Sequence, residues 1–104
     1  MASHRRSAST GELIGALRRT VLEGPGTLAP AVRRAAFGDG EVPAEAAGYV
    51  DKVRRHAYKV TDADVEALHE AGWSDDAIFE ITVATALGAA LSRRERARQA
   101  MGGA

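Results

Sequence analysis

The stretch TDADVEALHEAGWSDDAIFEITVATALGAAL, residues 61–91, decides the fold. Thr61 and Asp64 have the spacing of a capping box, in which a hydroxyl and a carboxylate satisfy the free amides at a helix start. Val65 and Leu68 follow on one face, and Gly72 stands where a helix end wants a left-handed residue. Ser74-Asp75-Asp76 then opens another helix, with two carboxylates against the positive end of its dipole. Its body, Ala77 to Leu91, is apolar nearly all round except for Glu80, the pattern of a helix buried on several sides. The stretch therefore reads as two helices joined by a tight turn.

Upstream, the same signals mark three more helices. Ser9 and Glu12 form a second capping box, followed by Leu13, Leu17 and Val21 on one face, and Gly24-Pro25-Gly26 stops that helix. A short helix is expected over about Ala29 to Phe37, ended by Gly38-Asp39-Gly40. Pro43 suits a first-turn position, and Ala46, Val50, Val53 and Ala57 recur at three- and four-residue steps beyond it. Downstream, Ser92 and Glu95 either cap a last helix or lie within a continuation of the fifth. No segment alternates at period two over strand length. The chain reads as all-α, one domain over residues 9–101 of five to six helices, with a flexible arm at 1–8 and a tail at 102–104.

Composition narrows the chemistry. The 104 residues carry 14 basic and 14 acidic side chains, which argues against a general nucleic-acid or acidic-membrane binder. Alanine supplies 22 of the 47 hydrophobic residues, thin material for a monomer's core. Zero cysteines exclude disulfides, thiolate metal sites and cysteine nucleophiles. The apolar run Ala77–Leu91 would extend about 22 Å as a helix, too short for a ~30 Å hydrocarbon layer. With no leader-like segment in MASHRRSAST, a cytoplasmic location is expected.

Charge is segregated along the chain. Seven acids and no lysine or arginine lie between Val60 and Ser92, while Lys52, Arg54, Arg55 and Lys59 precede that block and Arg93, Arg94, Arg96 and Arg98 follow it. Such a distribution reads as solvated faces, or as complementary patches that set an oligomer register. A DNA-reading helix is not indicated, because the helix after Gly72 begins with Ser74-Asp75-Asp76. His4, His56 and His69 fall on separate segments with no metal-ligand spacing, so no metal and no cofactor are expected. His69 reads as solvated, and Trp73 as a packing anchor whose indole nitrogen meets a carbonyl or water.

Taken together, Glu45 on a helix, the run Val53-Arg54-Arg55-His56-Ala57-Tyr58-Lys59-Val60, the turn Glu70-Ala71-Gly72-Trp73-Ser74-Asp75-Asp76-Ala77-Ile78 and the alanine-rich helix after it resemble the AhpD-like / carboxymuconolactone decarboxylase family. The resemblance covers roughly half the chain, Glu45 to Leu91, and implies an AhpD-like orthogonal helical bundle. In the family's redox-active members a helical glutamate and a histidine activate a Cys-x-x-Cys pair. Carried over, the glutamate falls on Glu45, the two sulfurs on Ala57 and Val60, and the histidine on Asp64. Neither Ala57 nor Val60 can replace a thiolate, so the resemblance cannot extend to the family's thiol peroxidase chemistry.

Two expectations follow. One is acid–base chemistry on a small carboxylated or lactone-like substrate, with Glu45 as carboxylate base, His56 as acid or orienting group and Tyr58 as hydroxyl donor. The other is a non-catalytic homo-oligomeric scaffold or binding protein in which the site is degenerate. Trimers and hexamers are the assemblies the family implies, and Ala84, Ala86, Gly88, Ala89 and Ala90 offer the fifth helix as the contact. A small-molecule ligand is the other partner the resemblance allows; nucleic acid and membrane are not expected.

Overall fold

The computed structural model describes residues 9–102, which form five α-helices, three begun by a side-chain cap and two beside a proline. They are α1 (Thr10–Glu23), α2 (Pro30–Gly38), α3 (Ala44–His56), α4 (Asp62–Glu70) and α5 (Asp75–Ala100), and no strand occurs among the described residues. The segment 1–8 expected as an arm, and residues 103–104 of the expected tail, lie outside the described residues.

Both capping boxes close. The Glu12 amide donates to Ser9 Oγ at 3.0 Å while the Ser9 amide donates to Glu12 Oε1 at 2.9 Å. At α4 the Thr61 amide donates to Asp64 Oδ2 at 2.8 Å, and the Asp64 amide returns to Thr61 Oγ1 at 3.4 Å. Ser74 Oγ accepts the Ala77 amide at 3.1 Å and starts α5. Between these last two helices Gly72 takes φ +99°, the left-handed geometry the turn requires.

One boundary differs from the sequence expectation. The apolar stripe predicts Ala57 within the third helix, but α3 ends at His56 and a single 3₁₀ turn, Ala57–Lys59, leads into the extended Thr61 cap. Ala57 is consequently exposed. The Gly38-Asp39-Gly40 turn ends α2 as expected, with Asp39 in the left-handed conformation at φ 78°. Of the two readings of Ser92 and Glu95, the continuation holds, because α5 runs through them to Ala100.

The core is built on α5, which packs most extensively against α2 and then α3. Ile78, Ile81 and Ala84 meet Ala36, Ala46, Val50 and Leu68 there, joined by Leu22 from α1. Gly88 marks the closest approach: a Cβ at that position would lie 2.0 Å from the Phe37 carbonyl oxygen. Polar bonds tie the same elements. The Tyr49 hydroxyl and Thr82 Oγ1 are 2.7 Å apart between α3 and α5. Glu80, the one charge in the apolar run, accepts the Thr27 and Leu28 amides at 2.7 and 2.8 Å, pinning the loop before α2 onto α5. That carboxylate supplies backbone partners which a loop pressed against a helix would otherwise lack.

Candidate functional site

Glu45 sits in the first turn of α3, exposed, where its carboxylate accepts the Trp73 indole Nε1–H at 3.2 Å. Its own backbone amide, and secondarily the Trp73 bond, hold its carboxyl below the ordinary 4.5. Trp73 therefore anchors its indole nitrogen on a carboxylate, not on the carbonyl or water expected. His56 ends the same helix, and Tyr58 follows in the 3₁₀ turn with 80 % of its surface exposed. The His56 and Tyr58 rings meet edge to face with centroids 6.0 Å apart.

The fold thus brings His56 and Tyr58 together and sets Glu45 apart from both. Eleven residues of helix separate Glu45 from His56, an axial rise of roughly 16 Å. Neither of the two clefts described below is lined by any of the three.

The positions that the resemblance assigns to the redox site are otherwise occupied. Ala57 is exposed and Val60 half-buried. Asp64 both caps α4 and accepts Lys52 Nζ at 2.9 and 3.0 Å, an ion pair joining α3 to α4. The Thr61 amide, followed by Lys52, lowers the Asp64 carboxyl below its ordinary 3.8. His69, expected to be solvated, is half-buried with Nε2 against Asp75 Oδ1 and Nδ1 3.9 Å from Glu66. That contact staples the end of α4 to the start of α5.

A different constellation emerges where α2, α3 and α5 meet. A cleft of about 670 Å³ has Arg18, Arg54, Arg55, Arg93 and Arg96 around it, with Asp39 as the acidic member of its wall. Its apolar surface comes from Phe37, Gly88, Ala89 and Leu91. Arg54 is engaged in the fold, donating to the Ala36 carbonyl at 2.7 Å and lying 3.6 Å from Asp39. Arg55 pairs with Asp51 at 2.7 Å. Arg18 lies over the Phe37 ring, its Cζ 4.9 Å from the centroid. Arg93 donates to the Arg54 carbonyl at 3.4 Å and Arg96 to Ser92 Oγ at 3.3 Å, both long bonds. A second cleft of about 450 Å³, beside Gly40, Val42, Ala47 and Asp51, shares Arg54 with the first.

The basic runs around Arg54 and Arg93 stand out in the sequence, but nothing local brings them together. The signal was present in their position: one run ends α3 and the other follows the buried part of α5, so packing α3 on α5 converges them.

Among the described residues no three histidine or carboxylate side chains are grouped to hold a metal ion, and no helix is long and apolar enough to cross a membrane. No family model, curated protein or solved structure matches this chain.

Proposed function

We propose that this chain is an AhpD-like / carboxymuconolactone decarboxylase-family protein, an orthogonal helical bundle without thiol chemistry, that serves as a homo-oligomeric scaffold or binding protein. The observation that carries the reading is the uncovered apolar face of α5. Phe79, Val83, Ala86 and Ala90 follow one another at helical steps; Phe79 is 68 % exposed, Ala86 and Ala90 are exposed, and Val83 is half-buried. Leu13 and Leu17 leave a second apolar pair exposed on α1. Small residues along such a face let another helix approach closely, and its burial would remove apolar surface from water.

The assignment of small residues is narrower than the sequence implied. Ala84 and Gly88 are buried in the chain's own core, Gly88 against the Phe37 backbone, which leaves Ala86 and Ala90 as the exposed small residues for a partner copy. The acid–base reading has less support, since Glu45 lies far along α3 from His56 and Tyr58, and its lowered pKa makes it a weaker base.

Sedimentation velocity at micromolar concentration tests the proposal. A mass of three or six chains is expected for the wild type. The double variant Phe79→Arg, Ala86→Arg should sediment as a single chain with its helical circular dichroism retained. A wild-type protein that sediments as one chain overturns the reading.

A further inference from the structure

We infer that the arginine-lined cleft between α2, α3 and α5 is a binding site for a small multivalent oxyanion of the phosphate-ester or pyrophosphate class. The inference stands apart from self-association, because none of Phe79, Val83, Ala86, Ala90, Leu13 and Leu17 lines the cleft.

Five guanidinium groups border one cleft, and two of them have acidic partners: Arg54 with Asp39 and Arg55 with Asp51. Arg18, Arg93 and Arg96 have no carboxylate within ion-pair distance among the described residues. Helix-end capping accounts for Arg54, which takes the Ala36 carbonyl near the end of α2, and in part for Arg93 over the end of α3. It does not account for Arg18 and Arg96, which approach from α1 and α5. Converging like charges repel one another, and the repulsion is relieved when an anion enters.

The chemistry of the donors sets the ligand class. Guanidinium presents planar, paired N–H groups that match the oxygens of phosphate and carboxylate. Three charges without a carboxylate partner call for more than one negative charge on the ligand, which a monocarboxylate lacks and a phosphate ester or pyrophosphate supplies. The cleft, at about 670 Å³, lies within the range of small-molecule sites. Phe37 and Leu91 provide apolar contact for the organic part of an ester. Phe37 is itself held under the Arg18 guanidinium, so the apolar and cationic surfaces are contiguous.

Isothermal titration of the full chain with pyrophosphate at low ionic strength, alongside inorganic phosphate and citrate, tests the site. Saturable binding of one pyrophosphate per chain is expected, tighter than citrate. Replacing Arg93 and Arg96 together by alanine should weaken it at least about tenfold, the scale of losing charged hydrogen bonds. Arg18→Ala, on a different helix, should weaken it as well. Arg94→Ala with Arg98→Ala, which removes the same charge from α5 away from the cleft, should leave it within about twofold, the remainder being long-range and screened. Absence of saturable binding, an equal loss in both double variants, or citrate binding as tightly as pyrophosphate would each overturn the inference. So would affinity for a single-stranded oligonucleotide that rises steadily with its length, since that pattern belongs to diffuse charge.

Discussion

Gly88 and Gly48 are both helical glycines, yet their surroundings assign them opposite roles. At Gly88 a methyl group would meet the Phe37 carbonyl oxygen at 2.0 Å and its carbonyl carbon at 2.8 Å, backbone atoms that cannot rotate away. Gly88→Ala must therefore push α5 off α2, and a loss near the upper end of the ~1–3 kcal/mol overpacking range is expected in urea unfolding. At Gly48, exposed on α3, nothing lies within 4 Å of the added carbon. Gly48→Ala should instead stabilise by about 0.5–1 kcal/mol through the restricted unfolded chain and better helix propensity. Equal shifts of the two unfolding midpoints would show that the close approach of α5 to α2 is not what fixes Gly88.

The elements were the most legible part of this protein in its sequence. Ser9–Glu12, Thr61–Asp64, Gly72 and Ser74 act through backbone groups at most four residues away, so local spacing suffices to find them. The end of α3 was not legible, because Ala57 continues the apolar period and the break at His56 is imposed by the path into the Thr61 cap. Of the candidate site, the proximity of His56 and Tyr58 was readable, being local, whereas the cleft depends on how α3 and α5 cross. Asp64 also makes α4 sensitive to acid. Its folded pKa lies below the ordinary 3.8, so the folded state binds fewer protons than the unfolded one between those values. The resulting stabilisation is fully present above the unfolded pKa and is lost as pH falls through the depressed folded value. Urea midpoints measured from neutral pH down to acid should fall less steeply in Asp64→Asn than in the wild type; parallel slopes would remove Asp64 from the acid response.

At the scale of the whole molecule, the radius of gyration is 16.0 Å and the principal extents are 51 × 36 × 23 Å. A compact domain of this length would measure about 13 Å. The excess matches geometry already visible in α5: its first two-thirds thread the core, while every residue from Ser92 to Ala100 is exposed. An elongated shape with exposed leucines on α1 and Phe79 on α5 is what self-association would complete.

The exposed last third of α5 also has a dynamic consequence. Amides around Ile81 to Gly88 can exchange with solvent only when the core opens, whereas those beyond Ser92 need only a local fraying of helix. Hydrogen exchange should therefore be slow in the first segment and faster by orders of magnitude in the second, within one unbroken helix; uniform protection would contradict the described packing. A single helix then reports two opening free energies side by side. Arg93 and Arg96 lie on the faster segment, so an anion held in the cleft should slow exchange there while leaving the core amides beside it as an internal clock.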